Sequence, residues 1–371
     1  MKLSDLRQEI DEIDAQLTKL LEKRIAIAEK VAVHKQKSGK AVLDAGREQE
    51  VLQKAAAAVQ NEGYRQYVLD ILSAVMAQSR SIQEKLLLAH AREAGKSAGA
   101  NGIAAYCGIP GSYAEEAALG YFGEGAAFSP QNTFGDVVKS VLSGQAAYGL
   151  LPVENSSSGS VTAVEDLLYQ NDVFITGEWI LPVSHHLLGV PGASEADIKT
   201  VCSHPQGIEQ CARFIAERGL SVRLSGNTAF AARDVAAEAD RTVAAIASGR
   251  AASIYHLDIL KANIQTSADN YTRFVIVEPA LREDGDKISV VCVLPHKPGS
   301  LYKLLSVFAG HGLNLLKLLA RPIPESAWHY RFHFDVSGSL EDKNVMDTLK
   351  EAGALCDAFK VTGCYKAAKR L

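Results

Sequence analysis

The spacing of apolar residues at the N-terminus constrains this chain more than any other feature. These residues lie alternately three and four positions apart, at Leu3, Leu6, Ile10, Ile13, Leu17 and Leu20. This repeat predicts one amphipathic helix over 4–38, about 53 Å long at 1.5 Å per residue. Two further predicted helices, over 45–61 and 64–92, have too few residues to cover such a rod. We therefore predict an all-α three-helix domain over 1–92 that forms a dimer.

Two cations on this first helix point to an anion site. Arg24 stands where the repeat requires an apolar residue, and Lys35, eleven residues later, returns to within about 20° of the same face. The alternative is a charged side chain that snorkels at the edge of a coiled coil. Arg7 lies about 25 Å from Arg24 along the axis. If Arg7 serves the same anion, it must come from a second copy of the helix.

A different pattern begins after a small, polar linker at 93–101. Short apolar runs alternate with helical stretches, which predicts a mainly parallel sheet and a two-lobed α/β domain over 102–279. Four polar clusters interrupt the apolar runs, at 108–113, 152–160, 203–206 and 270–274. Such clusters usually only end strands. They do not match the nucleophile elbow of hydrolases or the glycine patterns of nucleotide sites.

The last segment, 287–366, has the order strand-helix-strand-strand-helix-strand, which predicts an α+β ferredoxin-like domain. Residues 329–336 alternate in polarity. This pattern predicts that Tyr330, Phe332, Phe334 and Val336 face the core, and that His329, Arg331, His333 and Asp335 face solvent.

Composition narrows the class of protein. The 39 basic and 43 acidic residues give a net charge of −4, which argues against nucleic-acid or membrane partners. No apolar run approaches the roughly 18 residues of a membrane span, and the N-terminus lacks a secretory signal. The six cysteines and ten histidines form no zinc spacing. We expect a cytoplasmic protein with reduced thiols, no metal and no cofactor.

The motifs LRQEIDEID, LLEKR and LDAGREQE, together with Lys35, resemble the AroQ-class chorismate mutase, an intertwined helical dimer. The resemblance implies that the domain rearranges chorismate to prephenate and that the first arginine comes from the partner chain. It implies Lys35 and Gln83 as the donors to the ether oxygen. The chorismate-binding residues that it implies are Arg7, Arg24, Lys35, Asp44, Arg47, Glu48, Ser79 and Gln83.

The middle segment is similar to prephenate dehydratase in its ENSxxG loop (Glu154-Asn155-Ser156 with Gly159), its SHPQ motif and its Thr272-Arg273-Phe274 motif. The resemblance implies loss of carbon dioxide and hydroxide from prephenate without a cofactor, with Thr272 as the essential residue. The prephenate-binding residues that it implies are Glu154, Asn155, Ser156, Ser203, Gln210, Arg273 and Phe274.

The C-terminal segment resembles an ACT domain, a phenylalanine-sensing module. Its two signatures stand here as Gly299-Ser300-Leu301-Tyr302 and Leu319-Ala320-Arg321-Pro322. The regulatory residues implied are Gly299, Ser300, Leu301, Asn314, Arg321 and Pro322. Because Leu319-Ala320 replaces the Glu-Ser of the family, we expect weak or absent inhibition by phenylalanine.

Together, the three resemblances are those of bifunctional chorismate mutase/prephenate dehydratases of phenylalanine biosynthesis. Two alternatives remain open at this point. The middle segment could instead act on arogenate, which differs from prephenate by one amino group. It could also be a non-catalytic, two-lobed amino-acid-binding sensor. A helical-dimer transcription regulator is disfavoured, because the chain is acidic and has no basic recognition helix.

Overall fold

The computed structural model describes residues 3–38, 45–76, 78–79, 82–83, 102–267, 269–323 and 326–368. The chain divides into two compact units. The first consists of Met1–Lys96 and Ile288–Val361, and the second of Ser97–Lys287 and Thr362–Leu371.

The N-terminal segment is helical, as the apolar repeat predicts. Helix α1 spans Leu3–Ser38, α2 spans Ala45–Ala58, and α3 is described at 65–76, 78–79 and 82–83. The chain turns after α2 because Asn61 accepts a hydrogen bond from the backbone of Gly63 (3.0 Å) and caps a short 3₁₀ turn. Among the described residues, no helix is apolar enough over a sufficient length to cross a membrane.

The second unit contains two sheets and seven helices among its described residues. The strands are β1 (Ile103–Cys107), β2 (Ala127–Gln131), β3 (Tyr148–Asn155), β4 (Gly159–Ser160), β5 (Phe174–Pro182), β6 (His186–Gly189), β7 (Thr200–Ser203), β8 (Ser221–Leu224), β9 (Val243–Ala247), β10 (Asp258–Lys261) and β11 (Tyr271–Glu278). The helices are α4 (Tyr113–Phe122), α5 (Phe134–Leu142), α6 (Thr162–Gln170), α7 (Pro205–Gln210), α8 (Ala212–Glu217), α9 (Thr228–Glu238) and α10 (Gly249–Tyr255).

Each sheet forms the centre of one lobe, which confirms the two-lobed α/β prediction. The strand order is β5-β11-β3-β1-β2 in the first lobe and β10-β6-β9-β7-β8 in the second. Both sheets are mixed, so the prediction of a mainly parallel sheet is wrong. In the first lobe, β1 pairs in parallel with β2 and β3, but β11 is antiparallel to both β3 and β5. The reason is that β11 enters this sheet only after the chain has returned from the second lobe.

The C-terminal segment has the predicted α+β order: β12 (Lys287–Val293), α11 (Ser300–Gly310), β13 (Leu315–Ile323), β14 (Ser326–Ser337), α12 (Lys343–Ala354) and β15 (Ala358–Tyr365). Its strands are arranged β13-β14-β12-β15.

The prediction that Arg331, His333 and Asp335 face solvent is wrong. All three are buried on β14, and Asp335 accepts a hydrogen bond of 2.6 Å from the hydroxyl of Ser289 on β12. Tyr330, predicted to be buried, is instead exposed. Because the neighbouring strand β12 is buried along all seven residues, both faces of the sheet are covered at β12, and alternating polarity does not separate an inner from an outer face there.

The last residues of the chain belong to the second unit. Tyr365 is 2% exposed and packs in the same apolar core as Ile175 and Val277. Its carbonyl accepts a hydrogen bond from the backbone of Asp286 (3.0 Å). A Cβ on Gly285 would lie 2.3 Å from the backbone nitrogen of Tyr365, so only glycine allows this approach. Tyr365 therefore helps to hold the core of the second unit.

We predict that Tyr365→Ala destabilises this core by about 3 kcal/mol or more, the usual cost of emptying a buried aromatic site. The midpoint temperature for thermal unfolding of the second unit should fall by several degrees. Lys366→Ala, which changes an exposed neighbour, is the matched control and should leave the midpoint unchanged. Equal midpoints for the two variants would contradict the assignment of this segment to the core.

Candidate active sites

A cavity of about 370 Å³ lies between the two lobes of the second unit. It lies at the carboxyl ends of β1, β2 and β7, which is the usual position for ligands in α/β sheets. The polar residues that line it are Ser112, Tyr113, Gln131, Asn132, Asn155, His185, His204, Gln206, Gln210, Asn227, Thr228 and Thr272. The structure thus brings Asn155, Gln210, Thr272 and Phe274, all predicted from sequence, to one cavity.

Thr272 and Asn155 are directly opposite each other on the antiparallel strands β11 and β3. The Asn155 amide nitrogen donates hydrogen bonds to Oγ1 of Thr272 (2.9 Å), to Oδ1 of Asn270 (2.9 Å) and to the carbonyl of Tyr271 (3.1 Å). Because the Thr272 oxygen accepts this amide proton, its own O–H must point to another acceptor. Thr272 lines the cavity, so a bound substrate can supply that acceptor.

The loop after β3 connects the two lobes across the cavity. Oδ1 of Asn155 accepts from the Ser157 hydroxyl (2.6 Å), from the Ser157 backbone (3.0 Å) and from the Ser158 backbone (3.2 Å). The two serine hydroxyls in turn accept from the amides of Gln210 (2.7 Å) and Gln206 (2.8 Å) in the second lobe. The ENSxxG loop therefore meets α7, which begins within the SHPQ motif, through four side chains.

Helix α4 begins at this cavity. Ser112, 3% exposed, caps the helix by accepting a hydrogen bond of 3.3 Å from the backbone of Glu115. Gly108 has a φ of +126°, and a Cβ there would lie 2.9 Å from the Ser112 hydroxyl oxygen. The loop is held from the second lobe as well, because Ser248 donates to the carbonyl of Gly111 (2.8 Å). Glycine at 108 is thus needed to keep the Ser112 hydroxyl at the cavity.

Four of the predicted prephenate-binding residues lie outside the cavity lining. Arg273 contacts two carboxylates, Glu154 at 3.0 Å and Glu178 at 3.2 Å. Ser156 donates to the carbonyl of Asp269 (3.1 Å). Ser203 is fully buried and donates to the carbonyl of Ile246 (2.7 Å).

Sequence reasoning missed several residues of the cavity lining, among them Asn132, Asn227 and Thr228. Two of these residues could have been found from their positions after strands. Asn132 directly follows β2. Asn227 comes shortly after β8 and caps α9 by accepting a hydrogen bond from the backbone of Ala229 (2.8 Å). Polar residues just after parallel strands gather at one edge of a sheet.

Burial sets the charge of the cavity. It lowers the pKa of His185 and of His204, so both imidazoles are neutral near pH 7. Burial also raises the pKa of Tyr113 well above its ordinary value, so that phenol keeps its proton. None of the described lining residues is a lysine or an arginine. A carboxylate in this cavity would therefore be received by hydroxyl, amide and backbone N–H donors.

In the first unit, α1 and α3 bring together part of the predicted chorismate site. The Arg24 guanidinium donates to the carbonyl of Val75 (3.2 Å) and to the Ser79 hydroxyl. Ser79 and Gln83 are both buried, one turn apart on α3. In the described part of the chain, Oε1 of Gln83 is buried without a hydrogen-bond partner. This face can thus offer a cation, a hydroxyl and an amide to an anion.

The remaining predicted chorismate residues are placed as follows. Arg7 is exposed near the start of α1, and Lys35 is half-buried near its end. Arg47 pairs with Glu50 (2.7 Å) at the start of α2, beside the half-buried Glu48. Asp44 lies outside the described residues.

The predicted regulatory residues lie at the start of α11 and at the two ends of β13. Gly299, with a φ of +81°, precedes α11, which begins with Ser300 and Leu301. Asn314 precedes β13, and its backbone N–H donates to the Ser337 hydroxyl (3.1 Å). Arg321 and Pro322 lie on β13, with Arg321 opposite Arg331 of β14.

Comparison with known proteins agrees with this architecture. The chain matches the family models for chorismate mutase type II over residues 6–84, prephenate dehydratase over 104–281 and the ACT domain over 288–354. These matches define a fused isomerase and lyase that carries an ACT domain.

Individual relatives specify the family. The bifunctional chorismate mutase/prephenate dehydratase of Aquifex aeolicus (strain VF5) is 33% identical over 375 residues, covering 99% of this chain and 98% of the relative. Arogenate dehydratase/prephenate dehydratase 1, chloroplastic, of Arabidopsis thaliana is 37% identical over 276 residues, 70% of each chain. The solved prephenate dehydratase of Arthrobacter aurescens, in complex with L-Phe, is 29% identical with a TM-score of 0.66, covering 72% of this chain and 90% of that one.

The chain belongs to the bifunctional chorismate mutase/prephenate dehydratase family. It has the chorismate mutase and prephenate dehydratase activities of phenylalanine biosynthesis. Its substrates are chorismate and prephenate, and the non-catalytic sensor is excluded as an alternative.

Proposed function

We propose that Thr272 is the catalytic residue of the dehydratase site. In this reaction the bond to the carboxylate carbon breaks, its electrons enter the ring, and hydroxide leaves from the opposite carbon as the ring becomes aromatic. The leaving oxygen gains negative charge in the transition state, where a fixed O–H donor stabilises it. The single observation that carries the proposal is the hydrogen bond from Asn155 to Oγ1 of Thr272, which turns the threonine O–H toward other acceptors.

Asn155, Gln210 and Phe274 are proposed to hold prephenate, because they line the same cavity as Thr272. Four residues that the resemblance also implies lie outside the cavity lining. We propose that they hold the strands and loops of the site in place: Glu154, Ser156, Ser203 and Arg273. Their observed partners are the carboxylates and carbonyls described above.

The first test is Thr272→Val, which keeps the shape of the side chain and removes only the hydroxyl. We expect kcat for prephenate to fall about 10²–10³-fold, the usual cost of losing one transition-state donor. Chorismate mutase activity of the same preparation should be unchanged. Thr242→Val, at a half-buried threonine that contacts Asp240 and does not line the cavity, is the matched control. Near-normal prephenate turnover by Thr272→Val would contradict the proposed role.

Arogenate is a second candidate substrate of this site, because the Arabidopsis relative is named for both arogenate and prephenate. Comparing kcat/KM for prephenate and for arogenate with one preparation of the protein distinguishes the two. A higher value for arogenate would make arogenate the preferred substrate of the second unit.

For the first unit, we propose a homodimer whose two chorismate sites are each built from both chains. The apolar stripe of α1 supports this proposal, since Leu3, Ile13 and Leu20 are all more than 60% exposed in the single chain. A second copy of the helix would cover that stripe. Arg7 would then lie near Arg24 and Lys35 of the partner chain. Within one straight helix this is not possible, because Arg7 and Arg24 are roughly 25 Å apart along the axis.

In this site Lys35 and Gln83 are proposed to donate to the ether oxygen of chorismate as it gains charge. Arg7, Arg24 and Arg47 are proposed to bind its carboxylates, since a guanidinium matches a carboxylate with two parallel bonds. Asp44, Glu48 and Ser79 are proposed to bind its remaining polar groups. The rearrangement is intramolecular, so holding the folded substrate supplies much of the acceleration.

Lys35→Ala should lower mutase turnover about 10²–10³-fold, the typical loss for one key charge donor. Turnover of added prephenate should stay intact. Mixing inactive Arg7→Ala and Lys35→Ala chains should restore up to about a quarter of wild-type mutase activity, because one site of each heterodimer has both native groups. No recovery in heterodimers shown to form by native mass spectrometry would contradict the shared site.

We propose L-phenylalanine as the effector of the ACT domain, bound near Gly299, Ser300, Leu301, Asn314 and the Arg321-Pro322 pair. The related Arthrobacter protein was solved in complex with L-Phe. A buried amino-acid site must pair both the ammonium and the carboxylate of its ligand. Here Leu319 and Ala320 occupy the positions of the usual Glu-Ser on β13.

We therefore predict weak or absent inhibition of prephenate turnover by phenylalanine. The measurement is dehydratase rate against phenylalanine concentration, with calorimetric binding alongside. The double variant Leu319→Glu/Ala320→Ser restores the family pattern and should increase inhibition. Strong inhibition of the natural chain at low concentration would refute the prediction. Binding without inhibition would show that the two sites are not coupled.

We also propose a cytoplasmic location. All six cysteines are free thiols, and two of them, Cys202 and Cys211, are buried in the second lobe. Such thiols persist in a reducing compartment.

A further inference from the structure

The imidazole of His185 is buried at the edge of the dehydratase cavity, and both ring nitrogens have partners. Nδ1 lies 2.8 Å from the Tyr113 hydroxyl, and Nε2 lies 2.6 Å from Oε1 of Gln210. The backbone is held as well: its N–H donates to Gln265 (3.0 Å), and its carbonyl accepts from Ile264 (2.8 Å). The position of the ring is therefore set on every side.

The partners of His185 define its tautomer. Burial lowers the pKa of His185, so the ring is neutral near pH 7 and has one N–H. Because a carbonyl oxygen of Gln210 faces Nε2, that proton must be on Nε2. The Tyr113 hydroxyl then donates to Nδ1 or to the nearby carbonyl of Ser184 (2.7 Å).

From Gln210 a continuous chain of hydrogen bonds leads to Thr272. The Gln210 amide donates to the Ser157 hydroxyl (2.7 Å), which donates to Oδ1 of Asn155 (2.6 Å), whose amide donates to Oγ1 of Thr272 (2.9 Å). Each group accepts at one end and donates at the other. All donors point toward Thr272, and hydrogen bonds in such a chain polarise one another.

We infer that His185 is a positioning residue of the dehydratase reaction. Its Nε2–H donates to the Gln210 oxygen and so fixes the orientation of the Gln210 amide. In that orientation the series of hydrogen bonds ends with Asn155 donating to the Thr272 oxygen. The proton of the Thr272 hydroxyl is then available to the departing hydroxyl of prephenate. If the Gln210 amide turned around, its carbonyl would draw the Ser157 proton away from Asn155. Asn155 would then lose its shortest hydrogen bond. This inference rests on the proposed role of Thr272.

Two polar substitutions of similar size separate positioning from packing. In His185→Gln the terminal amide replaces Nε2 and can still donate to Gln210, whereas in His185→Asn the shorter side chain replaces only Nδ1. We expect kcat for prephenate to fall about 10- to 100-fold in the Asn variant, with KM little changed, since small misplacements cost this much. The Gln variant should stay near wild type.

His186→Asn is the control, because this neighbour is half-buried, accepts from the backbone of Asn263 (3.1 Å) and does not line the cavity. Its prephenate turnover should be normal. Mutase activity of each preparation reports on folding of the first unit, and the inactivation midpoint of prephenate turnover reports on the second. Equal losses in His185→Gln and His185→Asn, or a change in KM alone, would overturn the inference.

The chain can also be interrupted without touching the buried ring. Ser157→Ala, on the exposed loop after β3, removes one link and should lower kcat to a similar extent; an unchanged kcat would overturn the inference. In a Thr272→Val background, adding His185→Asn should lower the residual rate no further, because both changes act on one group. A further tenfold loss would show that His185 acts elsewhere.

These variants also separate the two hypotheses. If Thr272→Val is inactive and His185→Asn is normal, only the positioning role fails. If Thr272→Val is active, the proposed role of Thr272 fails, and the positioning role fails with it.

Discussion

The side-chain amide of Asn155 is the interaction on which the dehydratase site depends. Its oxygen accepts from the turn at Ser157 and Ser158, and its nitrogen donates to Thr272, Asn270 and a backbone carbonyl. One buried group thus joins the end of β3, the loop that follows it and the start of β11. Removing it would leave several polar groups unpaired, at about 1–3 kcal/mol each. Motifs more than 100 residues apart in sequence therefore form one unit in space.

The charged side chains around β11 are arranged to neutralise one another outside the cavity. Glu178 contacts both Arg273 (3.2 Å) and Lys287 (2.7 Å), and Glu154 completes the cluster. The described lining of the cavity is left with neutral donors. This suits a reaction in which one carboxylate leaves as uncharged carbon dioxide, because a strong ion pair to it would stabilise the reactant more than the transition state. Fixed neutral donors still stabilise the departing oxygen.

Much of the fold and part of the site could be predicted from sequence, and the failures have physical causes. The Thr272-Arg273-Phe274 motif led correctly to a strand that brings Thr272 to the cavity. Arg273 was harder to place, because neighbouring strand residues point to opposite faces and its partner Glu178 is 95 residues away. The burial of Arg331 and His333 could not be read from alternating polarity, since that pattern assumes one face in water. In each of these cases, residues distant in sequence determine which side chains are buried and which contacts they make.

The contribution of Tyr365 to the second core has a consequence for synthesis on the ribosome. Domains generally fold in the order in which they emerge. The core that contains Ile175 and Val277 is missing this aromatic side chain until the ACT segment that precedes Tyr365 has been synthesised. The helical segment emerges first and can acquire its structure early, whereas the catalytic lobes are completed only after the ACT segment has been made. A ribosome that stalls within the ACT segment would leave a chain whose chorismate mutase segment is complete and whose dehydratase core is not.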